Sequence, residues 1–363
     1  MGLLNLFFGP FSREPVHNPR MHPASRTVTL VALVLSSVIG IPAVSLESDQ
    51  YYAWGRELPD STDVLNSKVR LEIDRVLKAV NSKKSGKGVS CEGVVERIVP
   101  RFRKFIFQDI ELWAVNSSLV ARIPATAEEE LEFRKHYLYR NTHALDVGTK
   151  VPPSPTIELH GVRLGTDKLS HFFSEGWMYY KWYRKYRKSG LSVEEAERRV
   201  IRRGIWWERT ILGSVSSGVF SIGDLEANYQ GLRFLAAMCE GDSPALKRDE
   251  TGWRYVDAFD FRNYVSPSWD ESYQPPIFGK RRWKKVRPAL VEYCPMLHDP
   301  RVIRQRAEYS RRDRDTPTKR EVRKLVEAGR LRDPRQFALD AHCGTAETAA
   351  PEPAIALTNR PRS

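Results

Sequence analysis

Three stretches in the first half of the chain place apolar residues at helical spacing. In "DSTDVLNSKVRLEIDRVLKAVN", Leu65, Val69, Ile73, Val76, Leu77 and Val80 recur every three or four positions behind a cap region at Asp60 to Asp63. That period predicts a helix with one buried face. From Cys91 to Trp113 the spacing continues through Val94, Val95, Ile98, Val99, Phe102, Phe105 and Ile106. Pro100 lacks an amide hydrogen and is placed to kink or split this second helix. Ala125 to Arg140 predicts a third, with Glu128, Glu129 and Glu130 in the first turn, where the helix dipole favours acid. The polar run "NSKKSGKG" (81–88) separates the first two.

A Pro-rich connection at 151–156 leads to a short strand or hairpin around Ile157 to Leu164. Three helical patterns joined by glycines follow. Thr166 to Arg187 has Thr166 as its expected N-cap. Ser192 to about Leu212 opens on a capping box, Ser192 with Glu195. The third runs from about Ile222 to Cys239, after "GSVSSGVFS", which reads as a turn or short loop. That segment lacks the G-x-S-x-G spacing of a nucleophile elbow, so it gives no ground for a serine hydrolase. Residues 241–298 carry many Trp, Tyr and Pro residues and predict a packed aromatic loop with one short strand or hairpin. "GKRRWKKVRP" (279–288) is a basic run, 300–335 a basic helical segment, and the last twenty residues read as disordered.

The predicted fold class is therefore mainly α: a helical, disulfide-permissive exported domain with aromatic-rich loops and a basic C-terminal extension. The expected segments are 1–45 (signal peptide or anchor), 46–150 (N-terminal helical region), 151–298 (central helical domain with the polar site), 299–343 (basic helical extension) and 344–363 (tail). The export reading rests on "MHPASRTVTLVALVLSSVIGIPAVSLESDQ". Arg26 precedes an apolar run from Thr27 to Gly40, and Ala43-Val44-Ser45 has the small-x-small form of a cleavage site. Met21 is a candidate start. An uncleaved anchor is the alternative, since Thr27 to Ser45 is barely long enough to span a membrane. In either case the body lies outside the cytoplasm, periplasmic or at the cell surface, by the charge asymmetry around the run.

Composition adds two constraints. Hydrophobic content of 41% and charged content of 28% over 363 residues exclude a polytopic membrane protein. The formal net charge of +13 points to an anionic partner. Export favours anionic envelope lipid or polymer, a membrane surface, or an acidic partner protein over nucleic acid. Cys91, Cys239, Cys294 and Cys343 are disulfide candidates with three connectivities, and their wide spacing does not suit structural zinc.

The chemistry concentrates in the central block. On a helix over 166–187, Asp167, His171 and Glu175 share one stripe at i, i+4 and i+8. Surrounding Phe172, Trp177 and Tyr180 would lower the local dielectric and perturb the histidine. Glu208 stands alone in "GIWWERTILG", where an unpaired carboxylate is costly to bury. "GDLEANYQG" brings Asp224 and Asn228 at i, i+4, and Gly231 for close helix approach. Lys168 with Asp167 reads equally as a cap with an ion pair or as a direct participant, and Glu175 equally as exposed. The aromatics of 172–186 read mainly as core and the interleaved cations as a solvated face, with a membrane interface as the alternative. His136, His143, His160, His298 and His342 lack ligand spacing.

The order D-K-x-x-H-F, a lone Glu on an apolar helix, then D-x-x-x-N-x-x-G resembles the pattern of VanZ-like proteins and of DKxxHF-type envelope lipoproteins. Asp167, Lys168, His171 and Phe172 match its first element, Glu208 the second, and Asp224, Asn228 and Gly231 the third. The likeness spans about 65 of the 363 residues. VanZ-like proteins carry these motifs in transmembrane helices. Here Lys181, Arg184, Lys185, Arg198, Arg199, Arg202 and Arg203 imply a water-soluble or surface-bound version. The resemblance implies an envelope setting and supplies no reaction.

Two readings follow. In one, the protein is a hydrolase or transferase acting on a phosphate- or glycan-bearing envelope component. His171 is then base or metal ligand, Glu208 and Asp224 are partner carboxylates or ligands, Asn228 orients substrate, and Asp167 and Lys168 assist. A metal held by His171, Glu208 and Asp224 would be Zn, Mn or Mg rather than copper, since the donors are hard or borderline. In the other, a non-catalytic structural or interaction protein uses the same residues to lock helix packing.

Overall fold

The computed structural model describes residues 48–82, 88–103, 109–140, 153–212 and 218–344. The expected signal peptide or anchor at 1–45, most of the 81–88 loop, Phe105, Ile106, His143, most of "GSVSSG" and the tail from 345 lie outside them. The chain is mainly helical. Helix α1 (Thr62–Asn81) buries the six apolar positions expected from its period. Proline splits the next stretch into α2 (Cys91–Ile98), a 3-10 turn (Val99–Arg101) and α3 (Asp109–Asn116). Helix α4 (Ala127–His136) starts where Thr126 accepts a hydrogen bond from the Glu129 amide.

Strands β1 (Thr156–Leu159) and β2 (Val162–Gly165) form an antiparallel hairpin, with His160 and Gly161 both at positive φ in its turn. Two further antiparallel ribbons pair β3 (Val219–Phe220) with β6 (Ile277–Phe278), and β4 (Leu246–Asp249) with β5 (Gly252–Tyr255). The aromatic loop region thus holds one hairpin, and also lends a strand to the turn before the third central helix. The basic run forms α9 (Lys280–Val291), and the extension forms α10 (Pro300–Arg312) and α11 (Pro317–Glu327).

Two of the central helices depart from the expected pattern. The first begins as α5 (Asp167–Ser170), passes through a π-helical turn (His171–Glu175), and continues as α6 (Gly176–Lys188). In that turn the Gly176 amide bonds to the His171 carbonyl, five residues back. The second is α7 (Val193–Trp207), with its Ser192–Glu195 capping box, and it ends in another π turn (Glu208–Leu212). A π turn inserts one extra residue, so the face that meets the core rotates across it. Thr166 does not cap α5: its hydroxyl makes no hydrogen bond there.

Helix α8 (Ile222–Ala237) crosses directly over the first π turn. A Cβ on Gly176 would lie 2.8 Å from the Gly231 Cα, and one on Gly231 would overlap the Phe172 carbonyl oxygen. The predicted close approach at Gly231 is therefore real, and only glycine fits there. Phe172 stacks on Phe234, and Phe172 and Phe173 meet Phe234, Phe259 and Phe261 in tilted or edge-on contacts beneath the crossing. One apolar cluster draws residues from Tyr51 to Leu339, so the N-terminal region, central block and extension share it. Disulfide Cys91–Cys239 ties the start of α2 to the end of α8, and Cys294–Cys343 secures the extension, which selects one of the three connectivities.

Candidate functional site

Lys168 is the hub. Its side chain is fully buried, and its ammonium lies 2.7 Å from Asp167 Oδ2, 2.7 Å from Asp224 Oδ1 and 2.8 Å from Glu271 Oε1. Burial alone would lower its pKa, but the three carboxylates outweigh that and hold it well above the usual lysine range. Asp167 and Lys168 come from the first turn of α5, and Asp224 from the first turn of α8. Glu271 arrives from the aromatic loop, 103 residues away in sequence. Ser221 links these pieces: its hydroxyl accepts from the Asp224 amide (3.0 Å), capping α8, and donates to Glu271 Oε1 (2.6 Å).

His171 stands at the edge of this network and opens the π turn. Its Nε2 is 3.2 Å from Asp224 Oδ2, and its Nδ1 is 3.1 Å from Asn228 Oδ1. Two acceptors on one imidazole favour the doubly protonated ring. Burial pulls its pKa down, and Asp224 and Glu175 together push it up to about 9. With its pKa raised to about 9, His171 favours the imidazolium at neutral pH; the sequence reading had it as base or metal ligand. Asn228 faces the ring in the arrangement seen, where it fixes the imidazole. With 18% of its side chain exposed, His171 is more open than Lys168, Asp167, Asp224 or Glu271.

Glu208 opens the second π turn and accepts from the Ser221 amide at 3.3 Å. Burial, reinforced by the Asp224 charge, raises its pKa to about 8. Asp224 moves the other way: burial would raise it, but His171 and Lys168 prevail and lower it. The environments of these two buried carboxyls therefore drive their pKa values apart, Glu208 up and Asp224 down. Glu175 is buried rather than exposed. Its pKa is raised by burial, against the lowering effect of His171, and its Oε2 has no hydrogen-bond partner among the described residues.

One donor atom each from Asp167, His171 and Asp224 falls within a 4.8 Å cluster, a set that could hold a divalent ion. Asp167 stands in that group where the sequence reading had placed Glu208. The fit is incomplete in one respect. Lys168 already supplies positive charge between the same carboxylates, and an ion would have to take His171 Nε2 away from Asp224.

The structure thus brings Asp167, Lys168, His171, Asp224, Asn228 and Glu208 to one place. Sequence reasoning missed Glu271 and Ser221. Adjacent acids inside the aromatic run "SWDESY" were the available signal for the first, and Ser three residues before Asp224 for the second. No protein-family model, curated protein or solved structure matches the chain.

Proposed function

We propose that this network is the acid–base site of an enzyme, a hydrolase or transferase acting on a phosphate- or glycan-bearing component of the cell envelope. The observation that carries the reading is the meeting of buried Glu208, Asp224 and His171 at one place, where burial and the Asp224 charge push Glu208 towards its neutral form while His171 and Lys168 keep Asp224 ionised. Environments that drive neighbouring carboxyls apart are how one site obtains an acid at neutral pH. As water or an acceptor hydroxyl attacks the phosphorus or anomeric carbon, Glu208 donates its proton to the leaving oxygen, and the proton lost by the attacking group restores it. The His171 imidazolium, the most open cation of the network, stabilises negative charge building on the substrate, in a low-dielectric setting where such charges act strongly. Two π turns, each opening on one of these residues, add support, since π bulges often occur at functional sites. The export signal and the VanZ-like pattern support the envelope setting. Among the described residues no helix is long and apolar enough to cross a membrane. Any divalent ion would be held by Asp167, His171 and Asp224.

A second reading has its own observation. Both ring nitrogens of His171 are engaged, and Lys168 is held by three carboxylates, as in a lock that fixes how α5, α8 and the 271 loop meet. Glu208→Gln distinguishes the two, because glutamine mimics the neutral acid but carries no proton to give. The parent and this variant are assayed against p-nitrophenyl phosphate, bis-p-nitrophenyl phosphate and p-nitrophenyl glycosides. Turnover by the parent that disappears in a folded Glu208→Gln supports the enzyme. Turnover unchanged by Glu208→Gln removes Glu208 as the acid, and a parent inert to the whole panel favours the lock.

A further inference from the structure

The outer faces of α6 and α7 carry a surface that the polar network does not use. Trp206, at the end of α7, is 56% exposed. It meets Trp207 edge-on (6.2 Å between centroids), and Trp207 in turn lies 6.1 Å from Trp182 on α6. Cations sit on these rings. The Arg203 guanidinium is 4.3 Å from the Trp182 centroid, and the Lys181 ammonium is 5.8 Å from that of Trp177. Beside Trp177 runs a shallow groove of about 300 Å³ lined by Lys181, Arg184, Lys185 and Lys188, with Glu96 as its one carboxylate. The buried side of α6 is built from Tyr179, Tyr180 and Tyr183, and the half-buried Trp177 and Trp182 pack against its edge, Trp177 on Tyr180 and Trp182 on Tyr179. The aromatics expected to be core are buried in the core or packed against it, and the two tryptophans also show part of their surface beside the cations.

We infer that this face is a docking surface for an anionic lipid bilayer. Charge complementarity selects that occupant. Tryptophans with one apolar and one polar edge settle at the headgroup level of a bilayer, and long cationic side chains beside them reach lipid phosphates. A purely electrostatic partner would have no use for an exposed Trp206, and a purely apolar one would reject the lysines. The surface is continuous in sequence with the network, since Glu208 follows Trp207 directly, but none of the network's residues lines the groove. The inference goes beyond the acid–base reading and does not depend on it, because lipid binding involves no chemistry.

The test is co-sedimentation of the full chain with phosphatidylcholine vesicles, with and without phosphatidylglycerol. The readout is the preference for anionic vesicles, because the apolar run at 27–40 can partition into either kind. The triple variant Lys181→Gln/Lys185→Gln/Arg203→Gln should lose at least roughly tenfold of that preference, given what each surface cation contributes near an anionic leaflet. Trp206→Ser should weaken binding to anionic vesicles. A control that removes three exposed cations of α9, Lys284→Gln/Lys285→Gln/Arg287→Gln, should keep the preference. All these positions are exposed, so an unchanged melting temperature serves as the folding check. Equal binding of the parent to both vesicle types overturns the inference. So does a control that loses as much as the triple variant, which would assign the effect to net charge alone.

Discussion

Replacing Glu208 by glutamine should make the protein more stable, and increasingly so as pH rises. Glu208 is 5% exposed, and its folded-state pKa stands near 8 against an ordinary 4.5. A group whose pKa is raised on folding favours the folded state below its unfolded value, and that advantage is lost as pH climbs to the folded value. Between pH 4.5 and about 8 the folded chain keeps a proton that the unfolded chain has released, and each pH unit costs about 1.4 kcal/mol. The separation amounts to about 5 kcal/mol across the window, and about 3 kcal/mol by pH 7. Glutamine does not titrate. Parent and variant should therefore agree to within about 0.5 kcal/mol near pH 4.5, diverge through neutrality and level off above pH 8. The other titrating groups are common to both proteins, so the difference isolates Glu208. Urea unfolding at a series of pH values gives each stability by linear extrapolation. A difference that stays flat from pH 5 to 8 would show that Glu208 ionises normally, and the divided carboxyl pair would fall with it.

Three other outcomes follow from the same network. His171 also has a raised pKa, from 6.5 to about 9, so its contribution is complete below pH 6.5 and lost through pH 9. His171→Asn should cost about 3 kcal/mol at pH 6 and much less at pH 10, and a loss that is the same at both would refute the imidazolium. Lys168→Met leaves Asp167, Asp224 and Glu271 without their shared cation and should cost about 3–5 kcal/mol in thermal or urea unfolding. Elemental analysis of the folded fraction of that variant, with zinc, manganese or magnesium supplied, should show more bound metal than the parent, and no increase would mean that Lys168 is not filling an ion's place. Gly231→Ala drives a methyl group into the Phe172 carbonyl and should cost at least about 1–3 kcal/mol, whereas an unchanged melting temperature would contradict the tight crossing of α8 over the π turn.

What the sequence determined by itself is local. Periodicity and caps are properties of residues three or four apart, so α1, an interruption at Pro100, a strand or hairpin over 157–164 and the Ser192–Glu195 box could be read directly. The polar members of the site were legible for a related reason. Glu208 in "IWWERTIL" and Asp224 with Asn228 in "GDLEANYQ" are exceptions on apolar backgrounds, and a buried charge requires a partner. Which partner it finds depends on which segments meet, and that was settled only by the tertiary structure. Glu271 reaches Lys168 from a loop with no periodicity. The cysteine pairing follows from which helix ends approach each other. The two π turns have no counterpart in the spacing of the sequence, and the first lies where the Phe172 carbonyl faces the bare backbone of Gly231. The protonation states are tertiary too, because His171, Glu208 and Asp224 titrate as they do only when burial and one another's charges act together.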